Sequence, residues 1–384
     1  MKAFVKMVVA VMVGLFATMI CCACLFTCAV VGSLASSQKE VATSAPGDVM
    51  FLKINSEVTE IPVESPFAAL MGEDGNPLSL RGYLNAIAIA KQDDNIVGIY
   101  LNTDGMAASP ATVEALRDAL ADFRSSGKWI ISYNDSYSLG QYYLASVANS
   151  VYVNTIGSVS LDGLTSVLPY PKALLDKMGI DMQIFRVGTF KSAVEPYMIE
   201  HMSEANRLQT MTYLQSIWNQ MASDIAESRG MDVDKINALA NEAVSYMKDD
   251  ELAQTGLVDG MLYKSDVEKI ILEKTGKSKL KGISAKDLVE SGYDTYFPQD
   301  EAKKIAVLYA SGEINDDGQS STSLDEGGIY PGATIKEIRA IAEDDAVKAV
   351  VFRVNSPGGS AFASEQIWKA LADLKEKKPL VVSM

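Results

Sequence analysis

Apolar residues fall along this chain in three patterns, and each predicts a different kind of element. Residues 8–34 are apolar or small and carry no charge. That run exceeds the roughly 20 residues that span a bilayer and the about 7–15 residues of a signal-peptide core, so it predicts a transmembrane helix. Lys2 and Lys6 precede it, and positive residues stay in the cytoplasm, so the remainder is expected on the far side of the membrane behind an uncleaved anchor. Short β-branched runs at 305–308 and 349–354 predict buried parallel strands. Between about residues 204 and 295 the pattern is helical, with Met211, Leu214, Ile217, Met221 and Ile225 on one apolar face. Thr334 and Glu337 read as a capping box opening a helix that carries Ile335, Ile338 and Ile341.

Strands alternating with helices imply right-handed crossovers and a mostly parallel α/β sheet. The pattern also occurs twice. Asp93-Asp94 lies over Asp344-Asp345 at an offset of 344 − 93 = 251, and that register predicts an ungapped match to the end of the chain. Ile96, Ile99 and Leu101 then meet Val347, Val350 and Phe352, while Ile130, Ile131 and Ser132 meet Val381, Val382 and Ser383. Upstream, Ser56-Glu57-Val58 matches Gly312-Glu313-Ile314 at a different offset. The expected organisation is an anchor over 1–36, a first unit over 47–200, a helical connection over 201–300 and a second, incomplete unit over 303–384.

Charge and composition narrow the function. Lys and Arg number 34 against 49 Asp and Glu, a formal charge of −15, which argues against nucleic-acid binding. A single histidine, His201, excludes most metal hydrolases and weakens any Ser-His-Asp scheme; its polar surroundings predict an exposed position without a role. No cofactor is implied. All four cysteines, Cys21, Cys22, Cys24 and Cys28, lie in the apolar N-terminal run, so disulfides say nothing about the compartment.

Two segments could carry chemistry. Asn355-Ser356-Pro357-Gly358-Gly359-Ser360 lies between a predicted strand and a predicted helix. Adjacent glycines let the backbone approach a ligand, and a helix start supplies free N–H groups, so Gly358 and Gly359 suit an oxyanion hole; a plain tight turn is the other reading. The first unit has Ala107-Ala108 at the same place, so turning alone does not require glycine. The second segment runs from Arg186 to Tyr197 and contains Lys191, after an apolar run at 183–187 that predicts a strand. A lysine can serve as general base for a serine when burial brings its pKa from about 10.4 towards 7–8, so such a base must be desolvated.

Phe185-Arg-Val-Gly-Thr-Phe-Lys-Ser-Ala-Val-Glu-Pro196, Arg353-Val-Asn-Ser-Pro-Gly-Gly-Ser360 and Ser138-Leu-Gly-Gln-Tyr-Tyr-Leu-Ala-Ser146 together resemble the signal peptide peptidase A family, also called protease IV, in its long tandem form. The resemblance implies a fold like Clp protease and crotonase, a homotetramer, and cleavage of leftover signal peptides or similar apolar peptides at the bacterial inner membrane. It also implies a Ser/Lys dyad with Lys191 as base and a serine in the second unit. Leu139 stands where that serine would be in the first unit, and 139 + 251 puts the nucleophile near residue 390, past Met384. The residues as written are therefore expected to lack a complete dyad. The alternative is an inactive membrane-anchored scaffold or binding protein on the same fold.

Overall fold

The computed structural model describes residues 42–61, 77–247, 249–298, 300, 303–317 and 328–384, together with 14, 18 and 19. The predicted anchor at 8–34 lies almost entirely outside these residues. Among the described residues no helix is long and apolar enough to cross a membrane.

The first unit alternates as the apolar pattern requires. β1 (Asp48–Lys53), α1 (Leu80–Gln92), β2 (Ile96–Asn102), α2 (Pro110–Ser125), β3 (Trp129–Asn134), α3 (Leu139–Ala145) and β4 (Ser150–Val153) follow one another. Ser79 and Ser109 cap α1 and α2, each hydroxyl accepting from a backbone N–H of the first turn, and Pro110 opens α2 where its missing N–H costs nothing. Tyr83, Ile87, Ile89, Val113, Leu116 and Phe123 turn these helices onto β1–β3.

The connection after β4 departs from an all-helical reading. It holds α4 (Lys172–Lys177), the long α5 (Glu204–Arg229), α6 (Val233–Leu239), α7 (Asp249–Thr255), β5 (Gly260–Met261), α8 (Lys264–Thr275), β6 (Gly282–Ser284) and α9 (Ala285–Tyr296). Its two short strands complete a wholly parallel six-stranded sheet in the order β5-β4-β3-β2-β1-β6. The predicted apolar stripe of α5 is buried only in its later half: Met211 is 52% exposed, while Met221 and Ile225 are buried. Helix α8 covers the second face of this sheet, where Val267 and Ile271 pack on Val49, Tyr100, Ile131 and Tyr133.

The remaining elements are β7 (Lys304–Ser311), β8 (Glu313–Ile314), β9 (Gly328–Ile329), α10 (Pro331–Glu343), β10 (Val347–Asn355), α11 (Ala361–Lys377) and β11 (Leu380–Ser383). They form a parallel sheet β11-β10-β7 and a small ladder β8-β9. Helix α10 starts at Pro331 with Tyr330 before it and no side-chain cap, so the predicted Thr334–Glu337 capping box is not formed. Proline fixes the helical φ at the first position, which starts the helix three residues before Thr334. Ile338, Ile367 and Leu374 cover one face of the sheet through Leu308, Val350 and Phe352. Among the described residues the other face is open, with Ile305 67% and Val381 61% exposed, and the edge strand β11 also leaves Val382, on the covered side, 53% exposed.

The two sheets share details of register. Met50 pairs with Ile99, and Ala306 with Val350; both ladders slip at the same point, after Asp48 and after Lys304. A lysine closes the first helix of each set: Lys128 Nζ donates to Ala90 O and Asp93 O at 2.7 Å, and Lys378 Nζ to Ile341 O and Asp344 O at 2.6 and 2.5 Å. The acceptors lie 344 − 93 = 251 apart, but the lysines 378 − 128 = 250. Ile99 pairs with Ile130 as Val350 pairs with Leu380, so the ungapped register needs correcting by one residue. The extra residue is Gly127, held at φ +87° in a turn that the second unit makes without it.

Candidate functional site

The glycine turn sits between the end of β10 and the first turn of α11. Gly358 has φ +109° and Gly359 φ +149°, values that side chains rarely tolerate. A Cβ on Gly359 would lie 2.1 Å from the carbonyl oxygen of Ile314, so its glycine is required by contact as well as by conformation. The turn is stitched to β8: Ile314 N–H donates to Gly358 O at 2.9 Å and Ser360 N–H to Ile314 O at 2.8 Å. Ser360 caps α11, its hydroxyl accepting from Ala363 N–H at 3.2 Å and donating to Asp316 Oδ1 at 2.5 Å.

The two predicted oxyanion donors are not equivalent. Gly358 N–H already donates to Ser356 Oγ at 3.1 Å. Gly359 N–H has no partner among the described residues and lies beside the positive end of a 17-residue helix. A carbonyl oxygen gathering negative charge would find one committed and one free donor.

The first unit keeps one of these two stitches, with an alanine in place of glycine. Val58 N–H donates to Ala107 O at 2.9 Å, matching Ile314 and Gly358, and Ser109 caps α2 as Ser360 caps α11. Several of its polar groups satisfy one another, although the buried Ser56 hydroxyl has no partner among the described residues. Gln141 Nε2 donates to Thr103 O and its Oε1 accepts from Ser138 N–H, both at 2.9 Å; Asn134 Oδ1 accepts from Thr103 N–H at 2.8 Å. Leu139 packs against the core. This end of the first sheet therefore presents no nucleophile at the Leu139 position.

Lys191 lies in a long arm between β4 and α5. The predicted strand at 183–187 does not form: the segment has no regular structure, and Phe185 and Val187 are 95% and 91% exposed. An extended run becomes a strand only when another strand takes its backbone groups, and none does among the described residues. Lys191 is itself exposed, and its Nζ has no hydrogen bond or ion pair among the described residues. The desolvation expected of a general base is thus not provided, because the apolar side chains around Lys191 are themselves in water. No contact joins Lys191 to Gly358 or Gly359 among the described residues. Beside it, Phe190, Leu208, Tyr213 and Ile217 line an open cavity of about 600 Å³.

Sequence reasoning passed over two features here. Glu195 is only 2% exposed within this open arm. Arg353, two residues before Asn355, makes a two-pronged ion pair with Glu60 in the loop after β1, with contacts of 2.6 to 3.1 Å. Neither has a local signature, since the partners are chosen by tertiary contact. His201 is exposed, ahead of the Ser203 cap of α5.

Residues 122–276 match the sequence profile of Peptidase family S49. Protease 4 of Salmonella typhi is 35% identical over 319 residues, covering 80% of this chain and 50% of that protein. Protease 4 of Haemophilus influenzae is 36% identical over 321 residues, covering 78% and 50%. The chloroplastic serine protease SPPA of Arabidopsis thaliana is 28% identical over 310 residues, covering 80% and 45%. The chain spans about half the length of the curated relatives it matches. By these matches residues 122–276 fall within peptidase family S49, and the chain as a whole is similar to the curated Protease 4 and SPPA proteins.

Proposed function

We propose that the protein is a membrane-anchored serine peptidase that hydrolyses apolar peptides, leftover signal peptides foremost, by a Ser/Lys dyad. The observation that carries this reading is the Gly359 N–H, without a partner among the described residues at the head of α11, at a position where a Cβ would meet the Ile314 carbonyl oxygen. Such a donor, fixed before the reaction, stabilises the oxyanion of a tetrahedral intermediate. Lys191 is the base: it takes the proton as a serine oxygen bonds to the scissile carbonyl carbon, then gives it to the leaving amine as the C–N bond breaks. It next takes a proton from the water that attacks the acyl ester and returns it to the serine oxygen as that ester bond breaks. On the reading that the two sheets are copies of one unit, the pairings Ile99–Ile130 and Val350–Leu380 support an offset of 250 and a serine at 139 + 250 = 389, one position before the sequence-based expectation.

A lysine works as a base only out of water, so the exposed arm around Lys191 is covered in the working enzyme. Assembly into the expected homotetramer supplies that cover, and residues 8–34 hold the assembly in the bacterial inner membrane with its folded part outside the cytoplasm. The test is to sequence the gene past codon 384 and assay its natural product, in membranes, on a synthetic signal peptide. Hydrolysis that Lys191→Ala abolishes supports the dyad; hydrolysis that survives Lys191→Ala removes it. A natural product without a serine near 389 and without hydrolysis favours the scaffold reading, for which the exposure of Lys191 is the supporting observation.

A further inference from the structure

We infer that Glu195 is a positioning residue that registers the Lys191 segment on the first turn of α5; this rests on the reading of Lys191 as the base. The arm that bears Lys191 is open to solvent, yet Glu195 within it is 2% exposed, while Lys191, Ala193 and Tyr197 around it are exposed. A buried carboxylate is costly unless its oxygens are hydrogen-bonded. Both oxygens of Glu195 are committed: Oε1 accepts from the Ser203 backbone N–H at 2.5 Å and Oε2 from the Ser203 hydroxyl at 3.1 Å. Ser203 is the N-cap of the 26-residue α5, so the negative charge also sits at the positive end of that helix.

A second tie lies beside Lys191. Gln209, on the second turn of α5, donates to the Ser192 hydroxyl at 2.5 Å. Tight turns join the two ties, with Lys191 N–H reaching Gly188 O at 3.4 Å, Glu195 N–H reaching Ser192 O at 3.0 Å and Met198 N–H reaching Glu195 O at 2.9 Å. The platform is itself fixed. Buried Arg117 on α2 donates to Asp224 O and to Ser228 Oγ on α5, each at 2.6 Å, and to Tyr143 O on α3 at 2.9 Å. A continuous path of polar contacts therefore runs from the first core through α5 to the residue next to Lys191. Glu195 touches no reacting atom in this scheme; it decides where the base can stand.

The experiment uses the natural full-length product in membranes, with kcat, KM and the pH profile of kcat/KM measured on a synthetic signal peptide. Glu195→Ala should lower kcat by about 10²-fold, the scale of a misplacement near 1 Å, with little change in KM. It should also move the acid limb of the kcat/KM profile, which reports the free enzyme's base, and speed hydrogen exchange over residues 191–203. Glu195→Gln keeps an oxygen for the Ser203 N–H and should restore most of kcat. If Glu195→Ala does not fold, Ser203→Ala carries the test in the same direction. A parental kcat and acid limb in Glu195→Ala, or in Ser203→Ala where that stands in, overturns the inference while leaving Lys191 in place. Hydrolysis that survives Lys191→Ala overturns the base assignment instead.

Discussion

Arg353 joins parts of the chain that lie 293 residues apart, and its removal tests how firmly the second sheet is held to the first unit. Its Nε lies 3.1 Å from both oxygens of Glu60, its Nη2 2.6 Å from Oε1, and its Nη1 3.1 Å from Ser383 Oγ on β11. The side chains of Arg353 and Glu60 are 27% and 15% exposed, so the pair is neither a surface bridge nor fully buried. Exposed pairs contribute about 0.2–1 kcal/mol, and breaking a buried one costs about 3–5 kcal/mol. With two-pronged geometry and most of its surface covered, this pair should couple by about 2 kcal/mol, or about 30-fold in an opening equilibrium. Arg353→Met, Glu60→Gln and the double variant form the cycle, read by native-state hydrogen exchange of the β10 amides. The double variant should open less readily than the two single effects predict, and added salt should change the coupling little, because the contact is sheltered. A coupling below about 0.5 kcal/mol, inside ordinary additivity error, would refute the argument.

Three other outcomes follow from the same contacts. Gly359→Ala must move the Ile314 carbonyl and should destabilise the second unit by about 3 kcal/mol, whereas Gly358→Ala meets open space and bears only its φ, at about 1–2 kcal/mol; equal shifts in thermal unfolding would contradict this. Arg117→Met removes a buried guanidinium bonded to α3 and α5 and stacked 4.9 Å from the Tyr143 ring centroid, at a cost of about 3–5 kcal/mol in urea unfolding. Arg117→Lys should recover only part, having no fork to bridge both helices. Finally, burial holds the phenols of Tyr100, Tyr137, Tyr142 and Tyr143 protonated well above their ordinary value of 10.0. Above pH 10 the unfolded chain loses protons that the folded one keeps, so the contribution of these tyrosines is intact below pH 10 and is lost progressively above it. Tyrosinate absorbance should therefore rise together with loss of helix; ionisation of these tyrosines while the helix signal persists would count against their burial.

Much of the fold was legible because it is written in short-range pattern. The β-branched runs at 305–308 and 349–354 became β7 and β10. The glycine pair was legible too, since Gly358 and Gly359 adopt the backbone conformations that only glycine accepts readily. The segment at 183–187 shows where pattern fails: a strand needs a partner, and apolar alternation cannot say whether one arrives. The capping box at Thr334 lost to Pro331 for a local reason that a closer weighing of proline would have caught.

Sequence by itself determined the parallel α/β plan and the residue types at the glycine turn, because each depends on neighbours within a few positions. Tertiary structure alone decided that Gly127 is the extra residue of one turn, that Ser356 takes the N–H of Gly358, and that Lys191 is exposed. It also decided that α8 covers one sheet while Ile305 and Val381 leave the other open, and that Glu195 and Arg353 find partners at Ser203 and Glu60. Burial and ion pairing depend on what the rest of the chain brings to a surface, and no local spacing encodes that.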